Sequence, residues 1–119
     1  IERLNAAFAK AIARYNYAGD YRGVFPVKCN QQRHLVEALV KFGRPYQFGL
    51  EAGSKPELMI ALASLQTPGA LLICNGYKDR EYIEMAILAQ HLGKTAIIVL
   101  EQIEEVPMVI EASRKLGIR

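Results

Sequence analysis

Lys28 is the residue whose type and position most directly suggest chemistry. It follows the apolar run Val24–Val27, which predicts a buried strand. A buried ammonium is costly and its pKa falls, and a neutral lysine amine can attack a carbonyl to form a Schiff base. A lysine at a strand end can also extend its long stem so that its charge reaches solvent. The position of Lys28 alone therefore leaves both interpretations open.

Polar residues also follow the other apolar runs of the chain. The four polar segments are Lys28-Cys29-Asn30, Glu51-Ala52-Gly53-Ser54, Asn75-Gly76-Tyr77-Lys78 and Glu101-Gln102. In parallel α/β proteins the functional groups lie at the carboxyl ends of the strands, which meet at one edge of the sheet. The sequence therefore predicts a site in which a lysine, carboxylates, an asparagine and hydroxyls surround one mouth.

Each of these residues also has a purely structural interpretation. Ser54 can cap the helix that follows it. Glu51 can be a solvated loop acid or can complement a helix N-terminus, and Asn75-Gly76 suits a tight turn. The remaining polar positions are predicted to be exposed loop or strand-end residues: Tyr77, Lys78 and Glu101.

Composition describes a globular domain of 119 residues, 51% hydrophobic and 23% charged. The net charge of +3 comes from 15 basic and 12 acidic residues spread along the chain, which does not indicate nucleic-acid binding. Cys29 and Cys74 lack C-x-x-C spacing, and His34 and His91 lie in predicted helices, so no zinc site is expected. Reduced thiols, together with the lack of a visible signal peptide or long apolar run, predict a cytoplasmic protein without a membrane span, although the chain starts at Ile1 rather than Met.

Hydrophobic periodicity predicts one helix followed by four strand–helix pairs. In chain order the predicted elements are helix 1–17, strand 22–28, helix 31–43, strand 46–50, helix 54–65, strand 70–74, helix 79–92, strand 95–100 and helix 103–116. Ser54 and Glu57 form a candidate capping box for the third helix. The continuous apolar run 95–100 is typical of a parallel strand that is covered on both faces.

Four strand–helix units, at roughly 25 residues each, match about half of a (β/α)8 barrel, in which about 250 residues hold eight units. An open doubly wound sheet is the alternative architecture. That fold normally carries a glycine-rich phosphate turn after its first strand, whereas this chain has Cys29-Asn30-Gln31-Gln32 there. The segment 49–55 has the wrong spacing for a P-loop. The half barrel is therefore favoured over a nucleotide-binding sheet.

Three segments, in order, resemble motifs of the fold-type III pyridoxal-phosphate decarboxylases, the group of ornithine, diaminopimelate and biosynthetic arginine decarboxylases. Val27-Lys28-Cys29-Asn30 resembles their cofactor-lysine motif. The segment 51–57 is similar to their acid-x-x-Ser-x-x-Glu motif, and 75–78 to their Asn-x-x-Lys motif. The longer segments 23–31 and 74–79 are most similar to the bacterial arginine branch.

The resemblance implies an alanine-racemase-like barrel in which Lys28 is the catalytic residue and binds pyridoxal 5'-phosphate. It implies cofactor contacts from Glu51, Ser54 and Asn75, although the ornithine branch has aspartate in place of Glu51. The implied reaction converts L-arginine to agmatine and CO2, a step of polyamine and spermidine biosynthesis. The arginine enzymes are also associated with Mg²⁺, for which the sequence shows no ligand cluster.

The resemblance further implies that residues 1–119 are part of a pyridoxal-binding barrel whose remainder, with a C-terminal β-domain, lies outside this chain. The ring-stacking histidine, the phosphate loop and the acid at the pyridine nitrogen would lie there, so the isolated chain is expected to be inactive. The expected partners are an amino-acid substrate and further copies of the enzyme, as a dimer or tetramer. The alternatives are a non-catalytic pyridoxal-phosphate carrier on the same barrel and a decarboxylase acting on ornithine or diaminopimelate.

Overall fold

The computed structural model describes residues 1–118 and contains one helix followed by four strand–helix units. The helices are Glu2–Tyr15 (α1), Arg33–Gly43 (α2), Lys55–Ser64 (α3), Arg80–Leu88 (α4) and Glu105–Leu116 (α5). The strands are Val24–Pro26 (β1), Gly49–Ala52 (β2), Leu71–Cys74 (β3) and Thr95–Ile98 (β4).

The four strands form one parallel sheet in the order β1-β2-β3-β4. In register, Pro26 pairs with Glu51, Glu51 with Ile73, and Ile73 with Ile97. A doubly wound sheet reverses its strand order at a switch point, whereas a barrel adds each strand beside the previous one. The sequential order confirms the predicted half barrel.

The main core lies between one face of the sheet and the helices. Leu50 and Leu72 from the strands pack there with Leu58 from α3, and all three are fully buried. Removing side chains of this size from water contributes about 1.5–3 kcal/mol each. A second cluster, around Ile83, Ile87 and Ala112, joins α4 to α5.

The opposite face of the sheet is more open in the described residues. Because side chains alternate along a strand, Glu51 and Ile73 point away from the helices, and so does Ile97, which is exposed. The prediction that the strand at 95–100 is covered on both faces is therefore wrong within residues 1–118. In a complete barrel this face lines the interior.

Several strand boundaries differ from those predicted, and the differences in β1 and β2 affect site residues. β1 ends at Pro26 because its pairing with β2 stops there, and Lys28 lies in a one-turn 3-10 helix, Val27–Cys29. A second such turn occupies Arg44–Tyr46, so β2 begins at Gly49 instead of residue 46. Glu51 consequently lies inside a strand instead of after one.

Helix α1 lies near the amino-terminal ends of β1 and β2. Its apolar side is largely exposed, and Phe8 stacks on Tyr21 with ring centroids 3.9 Å apart. A cavity of about 770 Å³ lies between α1 and the segments 20–22 and 45–47. This cavity is at the opposite end of the strands from the predicted site. No helix among residues 1–118 is long and apolar enough to cross a membrane.

Candidate active site

Lys28 stands at the carboxyl edge of the sheet with its side chain exposed. Val27 anchors the turn in the core, and Asn30 closes the turn by donating its N–H to the Val27 carbonyl at 3.1 Å. The Lys28 ammonium has no hydrogen-bond or ion-pair partner among residues 1–118. Of the two open interpretations, the structure supports a lysine whose amine reaches the surface, so burial is not what would activate it here.

Glu51 is a buried carboxylate, with 6% of its surface exposed. Its Oε1 accepts a hydrogen bond from Asn75 Nδ2 at 3.0 Å, whereas its buried Oε2 has no partner. The structural interpretation of Glu51 as a solvated loop acid is therefore wrong. A buried acceptor without a donor is rare and costs free energy, which makes Oε2 the clearest sign of a missing partner at this edge.

Ser54 occupies the N-cap of α3 through its backbone, since its carbonyl accepts from Leu58 N at 2.9 Å. Its hydroxyl makes no capping hydrogen bond, so the predicted capping box is wrong. The Glu57 side chain instead reaches Gly53, the residue before the N-cap, and its Oε2 accepts from Gly53 N at 2.7 Å. Ser54 is half-buried beside the other site residues with its hydroxyl uncommitted to the helix.

Asn75 joins the loop after β3 to β2. Its N–H donates to the Ala52 carbonyl at 3.0 Å while its side chain holds Glu51. The next residue, Gly76, has φ +78°, and a Cβ there would lie 2.4 Å from the Gly53 carbonyl oxygen. The turn interpretation of Asn75-Gly76 is confirmed, and the turn also brings two loops into direct backbone contact.

Gly76→Ala is expected to destabilise the protein by more than the cost of a left-handed non-glycine residue, which is about 1–2 kcal/mol. The added Cβ must also displace the Gly53 carbonyl. Thermal unfolding of the wild type and the variant measures the change. Gly93→Ala is the matched control, because Gly93 has φ +70° with no atom near its Cβ position. Equal losses in the two variants would contradict the close approach of the loops.

The environment of Lys78, at the same edge of the sheet, was also predicted incorrectly. Instead of being an exposed loop residue, it is 0% exposed, and its Nζ lies 3.4 Å from Glu105 Oε2 and donates to the Gly76 carbonyl at 2.5 Å. Burial alone would raise the pKa of Glu105, but the N–H groups of Glu101 and Lys78 and the lysine charge together lower it. The only sequence signal was a pair of acids after the next strand, Glu101 in the loop after β4 and Glu105 at the start of α5.

Helix α4, which follows the loop containing Lys78, has a side-chain capping hydrogen bond of the kind that α3 lacks. Asp79 caps α4 by accepting from Tyr82 N at 2.9 Å, and its second oxygen binds Lys55 Nζ at 2.7 Å. Tyr82 in turn donates its hydroxyl to the Ala52 carbonyl at 2.7 Å. Burial raises the pKa of the neighbouring Cys74 thiol to about 11, and both cysteines of the chain are free thiols.

Asp79→Ala is expected to lower the free energy of unfolding by about 1 kcal/mol through loss of the N-cap, whereas Ser54→Ala should change it by less than about 0.5 kcal/mol. The Lys55 ammonium, followed by the Tyr82 N–H, lowers the pKa of Asp79. The Asp79 contribution should therefore be complete above about pH 4, the ordinary range of aspartate, and be lost as the pH falls through the lowered value. Denaturant titrations at several pH values measure it, and a larger loss for Ser54→Ala would contradict the observed capping.

The structure therefore brings Glu51 and Asn75 into contact and places Ser54 at the start of the adjoining helix. Lys28 shares their edge, two residues beyond Pro26, the residue of β1 that pairs with Glu51. Within residues 1–118 its amine makes no hydrogen bond to any of the three. Glu57 and the Lys78–Glu105 pair complete the polar network. Chemically, the edge offers an accessible amine and a nearby buried carboxylate oxygen that lacks a donor.

Comparison with known proteins agrees with this arrangement. The family model described as the pyridoxal-binding domain of pyridoxal-dependent decarboxylases matches residues 1–119. The chain is 80% identical, over its full length, to the biosynthetic arginine decarboxylase of a Nostoc species, and 66% identical to that of Gloeobacter violaceus. In both cases the matched region is 18% of the relative, so the chain spans about a fifth of the length of the curated relatives it matches.

A solved structure shares the fold as well. The crystal structure of the biosynthetic arginine decarboxylase SpeA from Campylobacter jejuni superposes with a TM-score of 0.92 at 37% sequence identity. The superposition covers 96% of this chain and 19% of that one. The order of four parallel strands is thus that of a segment of the arginine decarboxylase barrel.

Proposed function

Since this chain belongs to the pyridoxal-dependent decarboxylases and matches their pyridoxal-binding domain along its whole length, we propose that it forms part of an enzyme that removes CO2 from L-arginine to give agmatine. Lys28 is the residue proposed to bind pyridoxal phosphate. The exposed amine of Lys28, on the same edge as the unpartnered Glu51 Oε2, is the observation that supports this most strongly.

The described residues fit one end of the cofactor. An aldehyde requires an accessible amine, which Lys28 provides, and a cationic nitrogen formed at that position would supply the donor that Glu51 Oε2 lacks. When bound, pyridoxal phosphate supplies the electron sink that accepts the electron pair left by loss of CO2. Contacts to its phosphate and pyridine nitrogen are proposed to come from residues beyond this chain.

The residues of this chain then have distinct roles in the proposed reaction. Lys28 would hold the cofactor through its amine, and when free that amine would be able to carry a proton. Glu51, whose Oε2 is unpartnered, would be the group that orients the amine, and Asn75 fixes Glu51 by occupying the other oxygen. Ser54, with its hydroxyl free of the helix cap, is proposed as a further cofactor contact.

The magnesium requirement implied by the resemblance does not fit this part of the enzyme. Residues 1–118 contain no group of three or more histidine, cysteine, aspartate or glutamate side chains arranged to hold a metal ion. We therefore assign no step to Mg²⁺. The remaining half barrel and C-terminal β-domain, a dimeric or tetrameric assembly, a cytoplasmic location and a role in polyamine synthesis are proposals that rest on family membership.

The test of this function begins with a full-length decarboxylase that carries this chain. It is reconstituted with pyridoxal phosphate and reduced with borohydride, and peptide mapping should place the cofactor on Lys28. CO2 release is then measured from arginine, ornithine, diaminopimelate and lysine, with arginine expected to be preferred. A label on another lysine would refute the assignment of Lys28, and cofactor binding without CO2 release from any of the four would favour the non-catalytic carrier.

A further inference from the structure

We propose that Lys78 and Glu105 are positioning residues, which hold the loop between β3 and α4 so that Asn75 fixes the carboxylate of Glu51. This inference rests on the proposed function, in which Glu51 lies beside the cofactor lysine. It goes further by assigning a role at the active site to a buried ion pair that joins the loop after β3 to the start of α5.

Glu105 connects the loops that follow β3 and β4. Its Oε1 accepts from the backbone N–H of Lys78 at 3.1 Å, and its Oε2 accepts from the N–H of Glu101 at 3.0 Å. The Lys78 ammonium adds a charged contact to Oε2 at 3.4 Å. One buried carboxylate, with 1% of its side chain exposed, thus fixes the backbone of both loops.

Gly76 is held at both of its backbone polar groups. Its N–H donates to Glu101 Oε1 at 2.6 Å, and its carbonyl accepts from Lys78 Nζ at 2.5 Å. It also lies against the Gly53 carbonyl so closely that no side chain fits between them. With the residue after it constrained in this way, Asn75 has little freedom to move along the edge.

Asn75 transmits this constraint to the carboxylate. Its backbone is tied to Ala52 and its amide holds Glu51 Oε1 at 3.0 Å, so the direction of Glu51 Oε2 depends on where the loop places Asn75. The contacts run without a gap from Glu105 through Lys78 and Gly76 to Asn75, and then to Glu51.

A stabilising role alone does not account for a buried charge pair at this place. A buried ion pair often contributes no more net stability than two apolar side chains of similar size. Helices α4 and α5 are already joined by exposed pairs, Arg80–Glu111 and Lys115–Glu84, each at 2.9 Å, and by the apolar cluster around Ile83. The directional contacts of the Lys78–Glu105 pair set loop geometry, which apolar side chains cannot do.

The test is a double-mutant cycle in a full-length decarboxylase that carries this chain. Lys78→Met and Glu51→Gln are made singly and together, and kcat, KM and the visible circular dichroism of the bound cofactor are measured. Each single variant is expected to lower kcat by about tenfold or more, with KM changed less than about threefold, because contacting networks couple by up to a few kcal/mol. Lys78→Met should cost less than about twofold when Glu51→Gln is already present, since its effect passes through Glu51.

If Lys78→Met does not fold, the nearly isosteric variant Glu105→Gln takes its place in the cycle with Glu51→Gln. Lys115→Met removes an exposed ion pair between the same two helices, and Ile83→Val weakens their apolar contact. Both should leave kcat and the visible spectrum unchanged. Equal fold losses from Lys78→Met in the two backgrounds would overturn the positioning role while leaving the proposed function intact. A wild-type protein with no covalently bound cofactor would overturn both.

Discussion

Lys28→Arg is expected to eliminate covalent cofactor binding and to lower kcat by about 10²–10⁴-fold, the range typical of losing a positioned proton-transfer group. A guanidinium keeps the positive charge but is not deprotonated in proteins, so it cannot attack an aldehyde. Because Lys28 is exposed and has no side-chain partner among residues 1–118, the change should leave the thermal midpoint nearly unaltered. Borohydride labelling, CO2 release and thermal unfolding together measure the three outcomes.

Lys41→Arg is the matched control for this prediction. Lys41 is an exposed lysine in the last turn of α2, away from the carboxyl edge of the sheet. The same substitution there should alter neither the visible spectrum nor turnover. A Lys28→Arg protein that keeps its covalent cofactor would show that another amine binds it, and unfolding of that variant would show that Lys28 has a structural role that its exposure does not suggest.

The order of the elements was predictable because it depends on local periodicity. Apolar residues repeat at helical spacing from 35 to 40 and run continuously from 24 to 27 and from 70 to 74, and both patterns are visible in the sequence. Strand boundaries were less predictable because they depend on pairing. The apolar run ending at Val27 predicts a strand up to Lys28, but β1 has a partner in β2 only from Val24 to Pro26. The chain therefore leaves the sheet at Pro26, two residues before the predicted strand end at Lys28.

The candidate site was predictable in composition but not in its contacts. Lys28, Glu51, Ser54 and Asn75 all lie at the predicted edge, since parallel strands bring their carboxyl ends together. Glu51 was expected beyond its strand, but β2 begins three residues and ends two residues later than predicted. Its start follows the 3-10 turn Arg44–Tyr46 and the left-handed backbone of Gln47, which no local residue pattern indicates. Lys78 was expected in solvent because its partner, Glu105, lies 27 residues later in the chain.

Glu105→Leu is expected to be the most destabilising single change at this edge, lowering the free energy of unfolding by about 3–5 kcal/mol. It removes the partner of a fully buried ammonium and leaves the N–H groups of Glu101 and Lys78 without acceptors. In the double variant Lys78→Met/Glu105→Leu, apolar side chains of similar size replace the ion pair and no unpaired charge is left. This variant should therefore regain most of the unfolding free energy that Glu105→Leu loses through the unpaired ammonium. Denaturant unfolding of the two single variants and the double variant measures this recovery.

The pH dependence gives the same pair an independent test. Burial opposes ionisation of Glu105, but the two N–H donors and the Lys78 charge outweigh it and lower the pKa of Glu105. A carboxylate with a lowered pKa stabilises the fold above its ordinary value, about 4.3, and this contribution is lost as the pH falls through the lowered value. The stability difference between the wild type and the double variant should therefore move in favour of the double variant on acidification. A difference independent of pH between 6 and about 3 would mean that the Glu105 charge does not stabilise the loops, and Lys78 would then be held by the Gly76 carbonyl alone.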